Sequence, residues 1–148
     1  MASLKKIFTA SVICSVILIF CTCTKTEIED FESNSYNTVK IGDQIWLAEN
    51  LRTTFYSDGT PIPLIADTTE WNDLSSPGCC WYDNDEATFK DTYGALYNWY
   101  TVNAASNGGK NLCPTGWHVA TDDDWENLRG FLGDEFTAGG KLKEKGTE

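Results

Sequence analysis

The sequence predicts an α+β domain of hairpins and two short helices wrapped around aromatic side chains. Three observations carry that reading. Around Gly42-Asp43, apolar positions alternate on both sides of a turn, in Thr38-Val39-Lys40-Ile41 and Ile45-Trp46-Leu47-Ala48, the period of a β-hairpin. Residues 121–133 carry a start signal, an apolar stripe and a glycine stop, the grammar of a helix. No internal repeat appears, and no helical period runs long enough for a bundle.

Taken from its beginning, the chain opens with Lys5 and Lys6, continues as an apolar run over 7–20, and closes on small residues and cysteines. That is the layout of a signal peptide, assigned to residues 1–22. The run is too short for a spanning helix, which needs roughly 20 apolar residues. Its end is a loose lipobox. Cys23 follows the small Thr22, whereas Cys21 follows the bulky Phe20. Cys23 is therefore the expected lipid attachment point and Cys21 the fallback, with plain soluble secretion as the alternative. Acyl chains on such a thiol hold by burial of successive methylenes. Residues 23–37 are polar, acidic and without period, and read as a tether.

The hairpin at 38–48 follows, then an extended stretch at 53–56 and a turn at Ser57-Asp58-Gly59-Thr60-Pro61. Residues 67–74, with Asp67 or Thr68 as cap and Trp71 and Leu74 on one side, predict a short helix that Ser75-Ser76-Pro77-Gly78 breaks. Cys79 to Tyr82 reads as a strand and Asp83 to Glu86 as an acidic loop. Residues 95–102 suit either period, and their aromatic density favours a strand or extended turn. Pro114 and Gly116 punctuate the chain before Trp117-His118-Val119, a short strand. Thr121 and Asp124 then form a relaxed capping box, and Asp122–Asp124 place negative charge where the helix dipole favours it. Trp125, Leu128, Phe131 and Leu132 make one apolar stripe, and Gly133 stops the helix.

The runs KIGDQIWLAENLRTTFYSDGTPI at 40–62, YGALYNWYTVN at 93–103, CPTGWHVATDDDW at 113–125 and AGGKLKEKGTE at 138–148 resemble, in this order, the Fibrobacter succinogenes major paralogous domain (FISUMP), a family of secreted and surface lipoprotein modules. Ala120 stands where the family pattern has proline, which loosens the corner into the helix. Family members run on past the GGKLKE-x-G-T motif into strands with Gly, Trp and a terminal Cys, so 38–148 is expected to be an incomplete, N-terminal portion of the domain. The resemblance implies a C-type-lectin-like architecture related to the formylglycine-generating fold. It also implies that Cys113 pairs with a late cysteine beyond Glu148. Acidic residues behind Cys23 resemble the surface-export signal of Bacteroidota lipoproteins.

Composition narrows the function. With 148 residues, 41% of them hydrophobic and 13% aromatic, the chain has material for one compact core. Six Trp, six Tyr and seven Phe are many for that length, and they serve either as core or as stacking surfaces for a ligand. A formal charge of −11 makes nucleic acid a poor partner. Cys79, Cys80 and Cys113 are disulfide candidates. Vicinal Cys79 and Cys80 are strained as a pair, which leaves Cys113 with either one as an option. No C-x-x-C is present, and one histidine with adjacent cysteines does not make a zinc site, so no metal ligands and no cofactor are assigned. Ca²⁺ at Asp83–Glu86 is an alternative suggested by the lectin analogy, although the EF-hand spacing is absent. His118, between Trp117 and Val119, reads as a satisfied ring and not a general base.

The expected function is a lipid-anchored module of the outer membrane or cell surface that recognises a glycan or a protein without catalysis. Trp81 and Tyr82 beside Asp83, Asn84 and Asp85 are the expected ligand-binding residues. The alternatives are an enzyme of the formylglycine-generating-like fold and a structural or adhesion module with no small ligand.

Overall fold

A computed structural model describes residues 27–133 and 136–142. The expected signal peptide, Cys21 and Cys23 lie outside the described residues. Among the described residues there are six short strands: β1 Ile28–Glu29, β2 Ser35–Tyr36, β3 Thr38–Ile41, β4 Gln44–Leu47, β5 Cys79–Trp81 and β6 Ala95–Tyr97. They form three separate antiparallel pairs, β1 with β2, β3 with β4 and β5 with β6. The helices are α1 Thr68–Asp73, α2 Glu86–Tyr93, α3 Trp99–Val102, α4 Ala104–Asn107, α5 Asp122–Leu132 and α6 Ala138–Leu142, with a 3₁₀ turn at Tyr82–Asn84. The class is α+β as read from the sequence, but helices outnumber the expected two. No helix among the described residues is long and apolar enough to cross a membrane.

The β3–β4 hairpin forms where the alternation put it, with Val39 opposite Trp46 and Ile41 opposite Gln44. Gly42 takes φ 61°, the left-handed value that hairpin turns with glycine first demand. A Cβ on Gly42 would also lie 2.8 Å from the Phe131 ring of α5, so the turn accepts no side chain there. The second predicted turn closes through Tyr56 N–H to Thr60 C=O and Gly59 N–H to Tyr56 C=O, both 2.9 Å. Asp67 caps α1 by accepting from Glu70 N–H.

Residues 28–36, expected to be part of a loose tether, instead form a folded hairpin. Asp30 is the reason. Its carboxylate accepts from Glu32 N–H and Asn34 N–H at 2.9 Å each and from the Tyr36 hydroxyl at 2.6 Å. Tyr36 is only 1% exposed, and the Arg52 guanidinium lies 4.7 Å over its ring. Burial, followed by the bond to Asp30, pushes the Tyr36 hydroxyl far above the ordinary tyrosine range. Glu32 adds a second attachment, accepting from both the Thr53 and Thr54 hydroxyls. An acidic composition without period hid a segment held by side-chain-to-backbone bonds.

Four other segments depart from expectation. Residues 117–119 form no strand and pair with none among the described residues, because the turn at Pro114, where Trp117 N–H reaches Pro114 C=O at 2.9 Å, leads straight to the cap of α5. Helix α2 was not foreseen; Asp85 caps it by accepting from Thr88 N–H. Residues 95–102 divide between strand β6 and helix α3, split by the Asn98 cap. The α5 stripe is only half interior, since Leu128 and Leu132 are buried while Trp125 and Phe131 are 53% and 64% exposed.

Two apolar clusters make the core. Tyr56, Ile62, Cys79 and Leu112 form one, with Leu51, Tyr97 and Val102 against it. Leu128, Leu132 and Ala138 form the other, joined by Ile41 and Trp46 of the hairpin. Between the turns of the first cluster sits Thr101, with 0% exposure. Its hydroxyl accepts from Gly78 N–H at 2.8 Å and directs its proton toward the Gly78 carbonyl and Asn98 Oδ1, both 2.9 Å away. Its carbonyl accepts from Asn107 Nδ2 and the Tyr56 hydroxyl.

Thr101→Val keeps shape but leaves the Gly78 amide with only its longer 3.3 Å bond to Asn98 Oδ1. The expected loss is about 1–3 kcal/mol by urea unfolding, with most of it recovered in Thr101→Ser.

Candidate functional site

Strand β5 alternates: Cys79 and Trp81 point inward and Cys80 is half-buried. Trp81, expected to be an exposed platform, is therefore 4% exposed, with Lys90 Nζ 5.3 Å above its ring. Tyr82 is exposed, as expected, and packs edgewise or tilted against Phe89 at 5.0 Å and Tyr93 at 5.1 Å. Asp83 and Asn84 both take φ 54° in the turn before α2. Asn84 Nδ2 is spent on Ala66 C=O and Asp85 on the helix cap. The five residues are neighbours, but they form a structural corner with its polar groups largely committed.

Concavity lies elsewhere. A cleft of about 860 Å³ opens between strand β4 on one side and residues 116–120 with the start of α5 on the other. Leu51, Tyr97, Val102 and Leu112 of the first core cluster line it, and Trp46 carries it to the second. Trp46 and Trp125 meet there with ring centroids 5.0 Å apart and planes tilted by 39°. Trp117, Asn50 and His118 also face the cleft. Gln44 Nε2 donates to Asp124 C=O at 3.1 Å, which ties the hairpin to the first turn of α5. No third strand covers the outer edge of β4 among the described residues.

The rim on the α5 side is held by Asp124. Its carboxylate accepts from the Thr121 hydroxyl at 2.6 Å and Thr121 N–H at 2.8 Å, while Asp124 N–H returns to Thr121 Oγ1, completing the capping box. His118 Nε2 lies 3.0 Å from the same carboxylate oxygen. The Thr121 hydroxyl, its amide and then His118 hold Asp124 down at about 2. Glu49, also lining the cleft, is lowered by its bond from Asn37. Both acids are thus ionised at neutral pH, and no lysine or arginine lines the cleft.

Cys79, Cys80 and Cys113 are free thiols here. Burial pushes Cys79 up to about 12 and Cys113 up to about 11. Among the described residues no group of three or more His, Cys, Asp or Glu is placed to hold a metal ion.

Sequence reasoning placed Trp46 on a strand and Trp125 on the apolar stripe of a helix, and left both rings open between core and stacking surface. The available signal was the width of the α5 stripe: four large apolar residues on a helix that has only Leu128 and Leu132 to bury.

Two measurements separate these places. Trp81→Ala is expected to cost about 3–5 kcal/mol as a core deletion, whereas Tyr82→Ala on the exposed corner costs clearly less in the same urea series. Asp124 is a carboxylate lowered by folding, so its contribution is complete above the unfolded value near about 3.9 and is lost as pH falls through the folded one. A ¹³C-carboxyl titration should give about 2 for Asp124, moving upward in Thr121→Ala.

Residues 39–148 match the family model described as the Fibrobacter succinogenes major domain. Neither the curated proteins nor the solved structures contain a match.

Proposed function

We propose, for a chain that belongs to the Fibrobacter succinogenes major domain family, a lipid-anchored binding module of C-type-lectin-like architecture, displayed on the outer membrane or cell surface. It recognises a glycan or a protein and performs no chemistry on it. The observation that carries the binding role is the open cleft in which Trp46 and Trp125 meet beside ionised Asp124 and Glu49. Apolar concavities with a few fixed polar groups are where ligands bury their surface.

The non-catalytic reading is supported by the state of the nucleophile candidates. Burial keeps the Cys79 and Cys113 thiols protonated, and a protonated thiol is a poor nucleophile. His118 is exposed, and its ring is paired with the carboxylate that caps α5. The anchored reading is supported by sequence alone: a basic start, an apolar run of signal length and a cysteine behind a small residue.

Growth of the producing bacterium with radiolabelled palmitate tests the anchor. Label is expected on the mature chain and in Cys21→Ser, and is lost in Cys23→Ser, with the labelled protein in the outer-membrane fraction. An unlabelled chain recovered from the cytosol overturns the reading.

A further inference from the structure

We propose that the cleft between β4 and α5 takes a neutral oligosaccharide, with the indole of Trp125 as the stacking surface and Asn50 as a hydroxyl partner. The proposal deepens the binding-module reading and rests on it.

Three features of the cleft point to this class. The first is the ring geometry. Trp125 meets Trp46 at a tilt and still leaves 53% of its surface open. A large, rigid ring with a free face offers area to the C–H face of a pyranose at little cost in conformational freedom. Helix α5 is fixed by its capping box and by Gln44, so the indole stands on a rigid support.

The second is the polar complement. Asn50 is exposed at the rim, and its side-chain amide holds only a long bond of 3.5 Å to Thr92 C=O. An amide offers both a donor and an acceptor, which matches the mixed demand of sugar hydroxyls. His118, 68% exposed at its side chain, presents a second polar edge.

The third is charge. The ionised side chains of the lining are Glu49 and Asp124, and no lysine or arginine stands among them. The whole chain carries −11. The nearest guanidinium, Arg52, is already taken by Glu49 at 3.5 Å, so a uronic or sialic acid entering this cleft meets like charge with no lysine or arginine among the lining residues to pair with, and apposed like charges are disfavoured. A neutral chain of hexoses or pentoses meets no such penalty. The charge pattern thus separates neutral from acidic glycans.

Tryptophan fluorescence and ligand-observed NMR on the full mature chain test this, with gluco-, xylo- and manno-oligosaccharides against polygalacturonate fragments and sialylated glycans. At least one neutral series is expected to bind and both acidic probes to stay silent. Trp125→Ala should weaken binding by about tenfold or more, as loss of one stacking ring does; Asn50→Ala, on the exposed rim, should weaken it with no change in thermal midpoint. Tyr82→Ala should bind as the parent does.

Preference for the acidic glycans overturns the charge argument. Neutral binding that survives both Trp125→Ala and Asn50→Ala overturns the cleft as its location, while the binding-module reading stands. Silence toward every glycan, with a purified surface protein or a second copy of this chain binding in a Trp125-dependent way, replaces the oligosaccharide by a polypeptide and also leaves that reading standing. Silence toward both classes removes the module reading itself.

Discussion

A buried threonine hydroxyl holds this fold where regular structure runs out. The strands are two to four residues long and pair only two by two, so ladders satisfy little of the backbone. The remaining amides and carbonyls inside the protein still need partners, because an unpaired buried polar group costs about as much as one good interaction gains. Thr101 meets that demand for Gly78, Asn98, Asn107 and Tyr56 together. The other buried polar residues, Asp30, Thr53 and Asn107, do the same work for the segments around them. The consequence is a domain whose shape is set by side chains bonded to loops as much as by helices and sheets.

That constraint explains what was legible in the sequence. The β3–β4 hairpin, the turn at 57–60, helix α1 and the capped start of α5 were readable because each announces itself within a few residues: alternation around glycine, a turn cluster, an acid or threonine ahead of an apolar stripe. The β1–β2 hairpin was not, since its cohesion comes from Asp30 reaching Tyr36 and Glu32 reaching Thr53 and Thr54. Those bonds span up to twenty-two residues, and no local pattern encodes them. Residues 117–119 have strand-forming side chains but no neighbour to pair with, so tertiary placement overrode propensity.

The exposure of the large rings was hard to read for a related reason. Residues two apart in a strand share a face, so Trp81 goes inside with Cys79, while Tyr82 opens the 3₁₀ turn that follows β5. Trp125 falls on the same apolar stripe as Leu128, Phe131 and Leu132. Which members of a stripe are covered depends on the partner surface, and the hairpin covers only part of α5: Trp46 reaches Leu128 and Leu132 but leaves Trp125 and Phe131 half open. The cleft is the gap left by that incomplete cover, joining the two core clusters, with its acids held ionised by the bonds that cap α5 and anchor Glu49.

On the proposed anchor at Cys23, the Asp30 loop would also set how far this domain can stand from a membrane. Were residues 23–37 a slack chain, an anchor at Cys23 would let the domain roam some about 50 Å outward at full stretch, given 3.3–3.6 Å per residue. With the chain folded back from Ile28 and fastened through Tyr36 and Glu32, the leash from such an anchor would be no longer than about 17 Å. A leash that short would turn a swinging lure into a perched one: an anchored domain would sample a thin layer above the lipid, and its choice of targets would narrow to what comes down to that height.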